Sequence, residues 1–214
     1  MHARTTGMLA VIVATLALAI AVDGAAARNF NISNQFFRIT WRELSFFDQG
    51  FPEEALCPVT LEGSFHSRTF QKVIESLIGY ITKAVVHEAA CRDQVGGAAA
   101  ARFLQERLPY HIRYAGFTGA LPAITSLKVR IFGVHYEDVI RGTRCLFVGA
   151  AVPINATFFV AGGVITGFEF EERSELPPQA GNNCALFGIN GGLERLSTSV
   201  TLLGTTTRIM LTLI

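Results

Sequence analysis

Four histidines in the body of the chain, His66, His87, His111 and His135, are the residues best suited to acid–base or metal chemistry. They are widely separated, and a metal site needs several ligands to converge with their second nitrogens held by partners. Locally, only two pairs have a chemical character: His111 with Arg113, and His135 with Glu137, each two residues apart and so on one face of a strand. Solvent-facing polar positions on half-buried strands explain both pairs equally simply. The binding candidates are therefore His111, Arg113 and His66, with Tyr110-His111-Ile112-Arg113-Tyr114 combining aromatic rings, a base and a planar cation. Glu169 and Glu171 would project from one side of a strand, with Glu172 and Glu175 close behind. Two acids on one face could serve a glycosidase or a calcium site, and a solvated strand end accounts for them too.

Motifs that would fix a reaction are missing. The chain has no G-x-S-x-G elbow, no H-E-x-x-H, no phosphate-binding loop and no dinucleotide glycine fingerprint. Gly162-Gly163 and Gly191-Gly192 lack a strand-to-helix setting and read as turn glycines. No catalytic residue, metal or organic cofactor is expected. Asn31-Ile32-Ser33 and Asn155-Ala156-Thr157 fit the glycosylation pattern, which is common by chance.

The compartment is more legible. Arg4 precedes an uncharged apolar run from Met8 to Val22, followed by Asp23-Gly24 and Ala25-Ala26-Ala27. A short positive start, an apolar stretch and small residues at the cut site make a signal peptide, with cleavage after Ala27 and a single secreted domain over 28–214. The run is shorter than the ~20 apolar residues of a spanning helix, so no stable membrane span is expected after cleavage. Cleavage removes one base and one acid, leaving the formal net charge of +1 unchanged. A balanced chain lacks the clustered cationic excess that nucleic acid requires.

Cys57, Cys91, Cys145 and Cys184 all lie in the exported part. An even count in an oxidising compartment predicts two disulfides, and absence of a C-x-x-C pair argues against a zinc knuckle or redox motif. Cys57 with Cys91 and Cys145 with Cys184 close the shorter loops, although closure entropy grows slowly with length and geometry can override it.

The elements that must position these residues are mostly strands. Val59, Leu61 and Phe65 alternate with Thr60, Glu62, Ser64 and His66. Phe37, Ile39 and Trp41 share a face, then the apolar parity slips to Leu44 and Phe46, which a bulge near Glu43 would explain. Phe70, Val73, Ile74, Leu77, Ile78 and Ile81 recur at steps of three and four, predicting one short helix over Thr69–Leu77 before strand resumes at Tyr80–Val86; a helix reaching Glu88 is the alternative. Further strands are expected at Ala101–Glu106, Tyr110–Phe117, Ser126–Val134, Arg144–Val148, Ala156–Val160 and Val164–Glu171. A terminal hairpin, Leu193–Leu202 with Thr206–Leu213, would turn at Leu203-Gly204-Thr205, and the longest loop signal spans 176–183. Together these predict a mainly β domain, an antiparallel β-sandwich or β-barrel with one short α-helix.

In Cys57-Pro58-Val59-Thr60-Leu61-Glu62-Gly63-Ser64-Phe65-His66-Ser67-Arg68-Thr69, and later in Leu108-Pro109-Tyr110-His111-Ile112-Arg113-Tyr114, the chain resembles uncharacterised exported proteins of high-GC Gram-positive bacteria. That resemblance implies the compartment and brings no activity or site residue with it. The leading functional expectation is a non-enzymatic secreted β domain that binds an extracellular partner or assembles at the cell surface. The alternatives are a barrel holding a small apolar ligand among Phe158, Phe159, Phe168 and Phe170, and a secreted hydrolase with a dispersed site.

Overall fold

A computed structural model describes residues 29–49, 54–140, 142–171, 175–181, 184 and 190–214. The signal-peptide segment, Glu172 and the end of the 176–183 loop lie outside the described residues. The strands are β1 (Asn29–Ile32), β2 (Phe36–Asp48), β3 (Glu54–Phe65), β4 (Thr69–Gln71), β5 (Leu77–Val86), β6 (Ala100–Phe103), β7 (Tyr110–Ala120), β8 (Ala123–Phe132), β9 (Val134–Ile140), β10 (Thr143–Gly149), β11 (Ile154–Ala161), β12 (Val164–Phe170), β13 (Gly191–Leu196), β14 (Ser199–Leu202) and β15 (Leu211–Leu213).

Alternating apolar side chains need a common interior, and the pairings supply one by closing on themselves. β2, β3, β5, β7, β8, β11, β12 and β13 pair in that order, all antiparallel, and β13 returns to β2. The result is an up-and-down barrel whose order around the wall follows the chain. β13 meets one stretch of β2 and β14 meets the other, at Ser199–Leu202 against Thr40–Phe37. The break between them falls where the β2–β3 register slips between Trp41 and Leu44, the bulge that the parity change anticipates.

Two three-stranded sheets cover the barrel ends. β15–β1–β4 brings Phe30 and Phe70 over Phe65 where β2 begins, and β10–β9–β6 brings Phe103 and Tyr136 over Phe46 where β2 finishes. Both disulfides join sequence neighbours, Cys57–Cys91 and Cys145–Cys184. They are consistent with an oxidising location. Among the described residues no helix is long and apolar enough to cross a membrane.

Four sequence expectations are corrected. Thr69–Leu77 contains no helix: Thr69–Gln71 is strand β4, and of the supposed stripe Val73, Ile74 and Leu77 are 53%, 56% and 39% exposed. Glu75 at φ 65° breaks the segment, so its three-four spacing is coincidental rather than the buried face of a helix. The terminal turn forms, with Gly204 at positive φ, but its arms diverge to different partners, β14 to β2 and β15 to β1. The strand expected over Ala101–Glu106 stops at Phe103 and gives way to a 3-10 turn at Gln105–Arg107. Gly133 at φ 83° splits the Ser126–Val134 run, ending β8 at Phe132 and starting β9, which the periodicity does not separate.

Candidate functional site

On the outer wall of the barrel, strand register aligns two rows of side chains across neighbouring strands. One row runs Ser64, Tyr80, His111, Phe132 across β3, β5, β7 and β8. The next runs Leu77, Arg113, Arg130, Asn155 across β5, β7, β8 and β11. Directly opposed residues of an antiparallel pair sit close enough for their side chains to touch. Accordingly the Tyr80 ring is met edge-on by His66, 4.5 Å away, and by His111, 5.2 Å away. The Arg113 guanidinium lies 4.8 Å from the centre of the Phe132 ring.

Two arginines directly opposite each other repel, and Glu75 offsets that repulsion. Its carboxylate lies 2.5 Å from Arg130 and 3.9 Å from Arg113. Its left-handed backbone is held by its N–H donating to the Tyr114 carbonyl at 2.8 Å, while Tyr114 N–H donates to Ser76 at 2.9 Å. Such exposed pairs contribute only about 0.2–1 kcal/mol each, so stability alone does not explain a residue in an unfavourable conformation there. Arg113 Nε is buried and has no acceptor among the described residues. Lys128, exposed two residues before Arg130 on β8, extends the cationic row. One acid thus faces two arginines, with Lys128 further along β8.

The fold therefore brings His66 and His111 against Tyr80 and sets Arg113 two residues along β7, over the Phe132 ring. The other histidines go elsewhere: His135 is 7% exposed with its ring Nδ1 against the Gly133 carbonyl at 2.7 Å, and His87 precedes the turn at Glu88–Ala90. Glu171 accepts from the Thr157 hydroxyl at 3.1 Å on β12's side of the barrel, away from the histidines. Glu175 accepts from Gln49 and Asn190. Of the two asparagines in glycosylation patterns, Asn31 donates to the Thr69 hydroxyl at 3.2 Å.

A second cluster is buried and was not anticipated. Asp48 ends β2, at 3% exposure, and Asp138 lies in β9 at 0%. No donor reaches either Asp138 oxygen or Asp48 Oδ1 among the described residues. Burial pushes Asp48 up to about 6 and Asp138 higher still, the latter also through the charge of Asp48. One proton held between the two carboxyls supplies the donor that both lack. Neighbouring groups offer no substitute: the Tyr136 hydroxyl donates to Gly192 at 3.1 Å, and Glu137 adds negative charge. An Asp48 oxygen and the sulfurs of Cys145 and Cys184 lie within 4.8 Å of one another, but the sulfurs are bonded together and so do not make a free ligand set.

Comparison of the chain with protein-family models, with curated proteins and with solved structures finds no match.

Proposed function

We propose that this protein is an exported binding domain that recognises an acidic polysaccharide outside the cell through the barrel wall around Tyr80. The observation that carries the reading is the pair of register-aligned rows, an aromatic one holding Tyr80, His111 and Phe132 beside a cationic one holding Arg113 and Arg130. Half-exposed rings match the apolar faces of sugar rings, and the fork of an arginine matches a carboxylate. Glu75 keeps the two guanidiniums side by side in the absence of ligand. A near-neutral chain with only Arg113, Lys128 and Arg130 on this face suits a spaced-out polyuronate better than the dense charge of a duplex.

The test is calorimetric titration of the exported protein with oligogalacturonate, with a neutral malto-oligosaccharide and a DNA oligonucleotide as controls. Oligogalacturonate should bind and the controls should not. Tyr80→Ala and the double change Arg113→Ala with Arg130→Ala should each weaken binding about tenfold or more, equivalent to 1.4 kcal/mol. Affinity should fall as salt rises. Equal binding of the neutral sugar, or a double variant that binds like the parent, would refute the reading.

A further inference from the structure

We infer that the end of the barrel capped by β15–β1–β4 is a docking face for an anionic phospholipid surface. An up-and-down wall brings alternate turns to one end: here β2, β5, β8 and β12 begin, and β3, β7 and β11 finish. Of the eleven large apolar side chains that stand exposed among the described residues, eight lie at this end, and only Val95, Val152 and Leu196 lie elsewhere. Singly scattered apolar residues are ordinary, whereas a concentration of them on one face marks a contact surface.

The exposed residues ring the cap. Leu202 pairs with Phe37, which sets Leu203 beside Phe36, itself 56% exposed. Met210 N–H donates to the Ser33 hydroxyl at 2.9 Å and Ile214 N–H to the Asn29 carbonyl at 3.1 Å, so both flank β1. Val73 and Ile74 follow β4. Leu121 tops the β7–β8 turn, and the hollow beside that turn is bounded by Pro122, Ile124, Gly163 and Leu211 of the cap. Between these tips the register aligns Thr212, Asn31 and Thr69 across the cap, while the alternate Phe30 and Phe70 are buried.

Charge names the occupant. Segments 29–37, 63–79, 116–127, 160–168 and 198–214 make up this end, and they contain Arg68, Lys72 and Arg208 but one acid, Glu75, which pairs with Arg130 and Arg113. The opposite end mixes Glu88, Asp93, Glu106 and Glu137 with its arginines. Arg68 and Arg208 are exposed, and Lys72 Nζ lies 5.7 Å from the centres of the Phe30 and Phe117 rings. Apolar tips that enter the acyl boundary, with cations at the level of the headgroups, hold a protein to an anionic bilayer without spanning it. Tips carried on separate turns and strand ends fit a fluid surface, which closes around each, better than one rigid partner. A second copy fits worse still, because two such faces would set cations against cations. The face borders the wall around Tyr80 at Leu77 and Glu75, but the inference does not rest on what that wall binds.

Cosedimentation of the exported protein, freed of residues 1–27, with lipid vesicles tests the inference. Vesicles of equal parts phosphatidylglycerol and phosphatidylcholine should carry the protein down, pure phosphatidylcholine should not, and excess soluble glycerol phosphate should not release it. Ile74→Ser with Leu121→Ser, and separately Arg68→Gln with Arg208→Gln, should each weaken binding about tenfold or more. Val95→Ser with Val152→Ser, also exposed but away from this end, should stay within about twofold of the parent. Arg113→Ala with Arg130→Ala, which disables the wall, should weaken binding less than either pair at the cap. The inference is overturned if phosphatidylglycerol vesicles leave the protein in solution, if neutral vesicles bind it equally, or if glycerol phosphate competes. It is also overturned if the wall pair or the Val95 pair weakens binding as much as the pairs at the cap, or if the face instead joins two copies in a dimer that Ile74→Ser with Leu121→Ser dissociates.

Discussion

The protein should become less stable as pH rises from 5 to 8, and Asp138→Asn should remove most of that loss. Asp48 and Asp138 both bind their protons more tightly in the folded chain than an ordinary carboxyl does, because burial penalises the charged form. The folded state consequently holds more protons than the unfolded state once pH exceeds about 4, the ordinary carboxyl range. Stability then falls with pH by about 1.4 kcal/mol per pH unit for each extra proton held, until pH passes the raised folded values. Two extra protons are held up to about pH 6, where Asp48 ionises, and one thereafter. The sign is opposite to that of a salt-bridged carboxylate. An asparagine at 138 keeps the shape, can donate to the Asp48 carboxylate and carries no proton to lose. Urea unfolding followed by circular dichroism at pH 5 and pH 8 should show the native protein losing several kcal/mol over that range and the variant losing much less. Stability that is flat or rises with pH would show that the pair is already satisfied as two carboxylates. Since Asp48 belongs to the barrel and Asp138 to the β6–β9–β10 sheet, the loss should appear first as faster amide exchange in that end sheet.

What could be read in the sequence was what depends on near neighbours. Val59, Leu61 and Phe65 alternate because one face of β3 is buried, and the parity slip at Glu43 marks a real change of register. The cysteines pair with their sequence neighbours, as loop lengths favour. The same local reasoning misled at Val73 and Ile74, where apolar spacing without burial imitates a helix. The candidate site was half legible. His66, His111 and Arg113 stand out by residue type, but Tyr80, Phe132, Arg130 and Glu75 join them only through strand register, which one extra residue between Leu77 and Gly79 shifts. Asp48 and Asp138 were beyond reach, since each is an unremarked acid in a polar-looking stretch until the end sheet folds over the barrel. A buried acid leaves a weak trace: Asp48 continues the inward parity of Leu44 and Phe46, and that parity was the available signal.

Phe158→Ala should destabilise the protein by about 3–5 kcal/mol, the range for removing a buried aromatic ring from a core, and should create a binding cavity in the lumen. Phe158 projects from β11 and meets Phe37 at 6.2 Å and Phe65 at 5.9 Å, on strands across the barrel, as well as Phe168 at 4.7 Å on its neighbour. Trp41 stacks on Phe170 at 5.6 Å and meets Phe168 at 5.7 Å. The rings that suggested an apolar ligand site thus span the lumen themselves, and Phe158, Phe168 and Phe170 are at most 1% exposed. Truncating Phe158 leaves space bounded by those rings, and an apolar void of that kind stays dry and accepts a small aromatic molecule. Benzene should therefore raise the midpoint of thermal unfolding of Phe158→Ala by several degrees and leave the native protein unchanged. Phe159 is the matched control, because it faces outward and touches Gly167 rather than the lumen, so Phe159→Ala should cost about 1 kcal/mol or less. Stabilisation of the native barrel by benzene would instead mean that its interior opens to ligands, and would move the binding function from the wall around Tyr80 to the lumen.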